Sequence, residues 1–129
     1  VDYQEYHAAA NLANAHYESG NAAEALRLFE RLIADHELPD LDRSSMASNV
    51  AVVLTAQGAP EGEIQAAYDR GIELERRWLR GAVIQRKAAW LVTVGRSWEA
   101  RDLLVRLRCE AWLNMYERDS IDRLLESLD

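Results

Sequence analysis

The sequence predicts an all-α protein folded as consecutive helix hairpins, and three observations carry that prediction. Ala, Leu, Glu and Arg dominate, β-branched residues are sparse, and there are only two prolines. Apolar residues recur at i, i+3 and i+4, the spacing of helices with one buried stripe. Glycines suited to ending a helix stand at 20, 58 and 95, intervals of 38 and 37 residues, so the pattern repeats.

Taken in order, the first helix covers residues 2–18, and from Tyr6 to Tyr17 it carries no Asp, Glu, Lys or Arg. Its apolar positions Leu12, Ala13, His16 and Tyr17 face Ala22, Ala25, Leu26, Phe29, Leu32 and Ile33 of a second helix, 22–36. Gly20 ends the first arm because it takes a left-handed backbone cheaply, and Asn21 is a good N-cap. The second helix is charged outside, through Glu24, Arg27, Glu30, Arg31 and Asp35. Pro39 then enforces a loop, after which Asp40 or Asp42 caps a third helix, 42–57. That helix has Met46, Val50, Val53 and Leu54 on one side and Ser45, Ser48, Asn49, Val52 and Thr55 on the other, with no charge from Ser44 to Pro60.

Pro60 opens a fourth helix, 61–77, a first-turn position that proline tolerates. Ile64, Tyr68, Gly71, Ile72 and Leu74 read as its inside, and Asp69, Arg70, Glu73 and Glu75 as its outside. The fifth, 81–94, holds Val83, Ile84, Ala88, Trp90, Leu91 and Val94 before Gly95; the sixth starts near Ser97 and runs through Ala100, Leu103, Leu104 and Leu107. Beyond it come Ala111, Trp112, Met115 and Tyr116, then Asp119-Ser120 as a cap with Ile121, Leu124, Leu125 and Leu128 inside, a short terminal helix or helix pair.

The first hairpin resembles a tetratricopeptide repeat (TPR), in a divergent, bacterial-type form. Leu12-Ala13 stands where that family has Leu-Gly, Tyr17 supplies the aromatic that ends the first helix, and Ala25 lies four before Phe29. Ile64 before Tyr68 and Ala100 before Leu104 repeat the spacing, although the period exceeds the family's roughly 34 residues. The resemblance implies a right-handed helical-hairpin solenoid of three repeats, about 5–38, 42–77 and 81–108, with a capping region at 109–129 whose Asp122, Arg123 and Glu126 form a polar outer face.

Length and composition fit one domain with a real core. The missing initial Met is what a piece of a longer protein would show, and the ratio of 14 Arg to 1 Lys fits a GC-rich bacterial genome. No apolar run reaches the roughly 20 residues of a membrane span, and no basic n-region followed by an apolar h-region occurs, so no secretory signal is expected in this stretch. Cys109 stands alone, read as a small, partly buried residue and in keeping with a reducing, cytoplasmic setting. A net charge of −7 argues against nucleic acid as ligand. Residues 1–69 hold 3 basic against 12 acidic side chains, residues 70–108 hold 10 against 4, and residues 109–129 hold 2 against 6.

No Ser-His-Asp order, phosphate-binding glycine loop or HExxH segment occurs, so neither an enzyme nor a cofactor is expected. His7 and His16 lie on different faces of one helix and do not make a metal pair. The expected function is a protein-interaction module or scaffold. The resemblance implies that the first helix of each pair lines a concave groove that binds a peptide or protein segment, with Asn14, Tyr17, Ser45, Asn49, Val52, Gln85, Arg86, Ala89 and Thr93, together with His7, Asn11, Ser48 and Thr55, as its residues. Some relatives clamp a C-terminal carboxylate there; Asn14, Asn49 and Arg86 match that pattern, but its two lysines fall on Ala10 and Ala82. Arg80, Arg86 and Lys87 would favour an acidic partner. Two other readings stand beside this one: a sensor or regulatory domain of a larger bacterial protein, and a structural subunit that self-associates, acidic repeat against basic. The four tryptophans read as core packing and capping, with exposure of Trp98 or Trp112 marking a docking surface instead.

Overall fold

The computed structural model describes residues 2–128. Among them are seven helices: α1 (Tyr3–Glu18), α2 (Ala22–Ala34), α3 (Asp40–Ala56), α4 (Glu61–Arg76), α5 (Ala82–Thr93), α6 (Ser97–Arg108) and α7 (Met115–Glu126). They pack as sequential hairpins α1–α2, α3–α4 and α5–α6, each stacked on the one before, with α7 against α6 and α3 also touching α5. This is a TPR-like helical repeat array.

The buried side chains follow the spacing that defined the repeats. Ala25 and Phe29, Ile64 and Tyr68, and Ala100 and Leu104 are all in the core, joined by the fully buried Val53, Leu91 and Ile121. Gly71 sits where α3, α4 and α5 cross: a Cβ there would lie 3.1 Å from the Ser44 carbonyl oxygen and 3.1 Å from a Val83 methyl. Leu12, 52% exposed, departs from the expected stripe, and several expected inner leucines, Leu26, Leu54 and Leu103 among them, are only partly buried. Leu28 takes the buried place in α2. The α2 stripe is therefore centred on Ala25, Phe29 and Leu32, and Leu28 falls within it.

The hairpin turns share one mechanism. Gly20, Gly58 and Gly95 have φ of 86°, 69° and 82°. Each places the next amide on the carbonyl five residues back: Asn21 N to His16 O at 2.7 Å, Ala59 N to Leu54 O at 3.0 Å, and Arg96 N to Leu91 O at 2.8 Å. This is the Schellman closure, which satisfies carbonyls that the helix leaves without partners. The same closure ends α4, with Arg80 N on Glu75 O at 3.4 Å and Leu79 N on Arg76 O at 3.1 Å. Here the left-handed position is held by Leu79, at φ 54°, the one non-glycine residue with positive φ among those described.

Glu75 corrects the expectation of an outward-facing side chain, for it is 1% exposed. Its carboxylate accepts from Val83 N at 2.9 and 3.1 Å and from Ile84 N at 3.2 Å, so it caps the start of α5, where Gly81 has no side chain to do so. Burial pushes the Glu75 carboxyl above its ordinary range, and the N–H groups of Val83, Ile84 and Ala82 and the Arg86 charge pull against that shift. At the preceding junction the roles are reversed. Arg43 Nε donates to the Ile33 carbonyl at the end of α2, at 2.7 Å.

The terminal helix also starts elsewhere than expected. Asn114, not Asp119-Ser120, is its cap, accepting from Glu117 N at 2.8 Å, so α7 begins several residues earlier. Other boundaries agree with the sequence reading to within about two residues.

Four outcomes test this account by chemical denaturation. Phe29→Ala should cost about 3–5 kcal/mol, and Leu26→Ala, half-buried, about 1–2 kcal/mol. Leu79→Gly should stabilise by about 1 kcal/mol, by relieving a left-handed leucine. The Glu75 carboxyl holds its proton to higher pH in the folded chain than in the unfolded one. Its contribution is therefore fully present below the unfolded carboxyl range and is lost as pH rises through the folded value. Stability measured against Glu75→Gln should consequently shift in favour of the wild type as the solution is acidified, and a pH-independent difference would contradict the burial.

Candidate functional site

The first helix of each hairpin, α1, α3 and α5, presents an exposed line of residues at i, i+3 or i+4, and i+7. On α1 it is His7, Asn11 and Asn14; on α3, Ser45, Asn49 and Val52; on α5, Arg86, Ala89 and Thr93. All are exposed except Asn49, which is half-buried, and Val52 is 44% exposed in the middle of the set. Apart from Arg86 the three stripes carry no Asp, Glu, Lys or Arg.

The hydrogen bonds define what these residues can offer. The side-chain amides of Asn14 and Asn49 have no partner among the described residues and are open as donors and acceptors. The hydroxyls of Ser45 and Thr93 donate within their own helices, to Leu41 O at 3.2 Å and Trp90 O at 2.7 Å, and so present only acceptor lone pairs. Arg86 is held by one nitrogen, Nη1, which donates to Ser48 Oγ at 2.9 Å across the α3–α5 contact. Ser48, expected in the groove, is fully buried and serves as the anchor for Arg86. Thr55 Oγ1 donates to Ala51 O at 2.8 Å.

Two of the expected site residues face elsewhere. Tyr17 is half-buried and packs on the core. Gln85 Oε1 accepts from Ser120 Oγ at 2.6 Å, which ties it to α7. Lys87 is likewise engaged, donating to Asp69 at 2.6 Å, and Arg80 lies on another side of the fold. The basic third repeat is thus not one continuous patch beside Arg86.

Much of the uneven charge is paired inside the chain. Arg70 reaches Glu30 at 2.8 Å, Arg77 reaches Asp40 at 3.6 Å, Arg96 reaches Glu61 at 3.5 Å, and Arg108 reaches Asp122 at 2.7 Å. The Arg70 and Arg96 contacts join successive hairpins, Arg108 joins α6 to α7, and Arg77–Asp40 lies within the second hairpin.

Of the tryptophans, only Trp90 is core, its ring 5.8 Å from Tyr68. Trp98 is 84% exposed, Trp78 is exposed and Trp112 half-buried. Cys109 is exposed, contrary to the partly buried position expected of it. No group of three or more His, Cys, Asp or Glu placed to hold a metal occurs among the described residues, and no helix among them is long and apolar enough to cross a membrane.

An array of sequentially stacked helix hairpins defines a helical-repeat protein. Residues 7–37, the first hairpin, match the family model described as Tetratricopeptide repeat. The match covers the first hairpin alone, and the two later hairpins share its helix–turn–helix architecture, so that the array as a whole is TPR-like. No curated protein and no solved structure matches the chain. Tetratricopeptide repeats generally bind proteins and are usually non-catalytic.

Proposed function

We infer that the protein is an interaction module that binds an extended or helical protein segment along the inner face of α1, α3 and α5. The observation that carries this reading is an exposed line with almost no charge on the first helix of each hairpin, in a molecule otherwise rich in ion pairs. A solvated helix surface ordinarily gathers Lys and Glu; here it offers amides, hydroxyl acceptors and an exposed valine.

In this reading Asn14 and Asn49 hydrogen-bond the partner's backbone or polar side chains, as open amides do in grooves of this kind. Ser45 and Thr93 accept from its N–H groups. Val52 and Ala89 receive an apolar side chain, and the free nitrogens of Arg86 meet an acidic or carbonyl group. No catalytic step is involved, and the shape and hydrogen-bonding pattern set the choice of partner.

The test is retention of partner proteins from a lysate of the source cell by wild type and by the double variant Asn49→Ala, Val52→Asp. Both positions reach solvent, so unfolding free energy should move by no more than about 1 kcal/mol. The expected result is a partner held by wild type and weakened at least about tenfold in the variant. Equal retention of the same proteins by both would assign these residues to packing and overturn the inner-face reading.

A further inference from the structure

A second surface of different chemistry lies on another side of the stack. Between the end of α4, the first turn of α5 and the second half of α6 is a cleft of about 450 Å³. Ile84 lines it, while Arg86 of the inner stripe stands two residues on, about 200° round the helix. The cleft and the inner face are therefore separate.

The cleft combines an apolar wall with a cationic rim. Leu79, Ile84 and Trp112, with two leucines of α6, form the wall. Arg76, Arg80 and Arg106 stand around it against one carboxylate, Glu110, whose Oε2 already accepts from Trp112 Nε1 at 3.1 Å. Arg76 and Arg106 occupy the last turns of their helices, where the negative end of the helix dipole favours a cation, and each has an acidic neighbour on its own helix, Glu73 at 3.9 Å and Asp102 at 3.2 Å. Arg80 has no such neighbour. It follows the end of α4, and its side chain has no hydrogen-bond or ion-pair partner among the described residues.

Leu79 adds a second observation. Its left-handed backbone is the one that glycine adopts at the three hairpin turns, yet a leucine stands here, half-exposed, with its side chain on the cleft. A strained, exposed apolar side chain beside an unpaired guanidinium fits a surface built to meet something.

We propose that this cleft docks a protein segment in which Asp or Glu lies beside a bulky apolar residue. The apolar side chain enters between Leu79, Ile84 and Trp112, and the carboxylate pairs with Arg80. The three cations come from separate elements around the rim, an arrangement that suits several carboxylates along a peptide better than the single head of an anionic amphiphile.

The test uses the whole chain against an array of acetylated pentapeptides that permute Asp or Glu with Leu, Phe, Trp or Met, each paired with its Asn or Gln counterpart. The strongest binders are then measured by calorimetry, with sodium laurate as a further probe. Acidic peptides should bind at least tenfold more tightly than their amide counterparts and weaken as salt is raised. Arg80→Glu should lower that affinity at least tenfold and Arg80→Gln by less, with melting temperature unchanged because the Arg80 side chain makes no bond. Asn49→Ala, Val52→Asp should leave it unaltered, which separates this cleft from the inner face. Equal binding of acidic and amide peptides, no binding by any peptide, or undiminished binding by Arg80→Glu would overturn the proposal. So would saturable binding of laurate alone, or a dimer in solution that Arg80→Glu dissolves, since each would name a different occupant.

Discussion

Stacking of the third hairpin on the second depends on one buried carboxylate. Helix ends leave backbone amides and carbonyls without partners, and where two helices meet inside a stack, water is not available to satisfy them. Glu75 resolves both sides of that junction. Its backbone carbonyl receives Arg80 N at the end of α4, and its side chain receives Val83 N and Ile84 N at the start of α5. A carboxylate at a helix N-terminus meets both the orphan donors and the positive end of the dipole, which offsets part of the desolvation cost of burying it. Elsewhere the same need is met by other side chains. Arg43 satisfies α2, and Arg118, through Leu113 O at 3.3 Å and Glu110 O at 3.1 Å, satisfies the approach to α7.

These junctions also account for the character of the inner face. Ionic contacts such as Arg70 with Glu30 and Lys87 with Asp69 run between neighbouring repeats and use charges carried by α2, α4 and α5. The exposed stripes of the inner helices are left to small polar residues, anchored from below where Ser48 fixes Arg86. The cleft beside α4 differs because the chain there changes direction through leucine and arginine, with no glycine turn.

The fold was legible wherever one residue type has one physical use. Glycine marks a left-handed turn, so the hairpin tips at 20, 58 and 95 could be placed from the sequence. The pairs Ala25 and Phe29, and Ala100 and Leu104, carry the helical period, so the core followed. What escaped was context. Leu79 gives no turn signal, because leucine is among the residues least suited to its backbone. Glu75 sits in a helix thick with charge and reads as surface, since nothing in its neighbours announces three amides arriving from another element. For α7 the signal was present: Asn114 followed by Glu117 at the third position is a capping pattern, and it competed with Asp119-Ser120 downstream. On the candidate site, Asn14 and Val52 are exposed and Asn49 and Gln85 are half-buried; what the sequence did not announce is that Gln85 is tied to Ser120, which comes from a helix 35 residues away.

The hairpin tips have one more property. Around Gly20, Gly58 and Gly95, a Cβ built on the backbone would meet nothing within 4 Å. These turns are constrained by the path of the chain alone and not by the protein around it. They are places where the molecule can be opened: foreign sequence spliced there, or new termini created there, enters solvent without displacing a packed group, so the array can lengthen or be recut at its edges while its faces remain as they are.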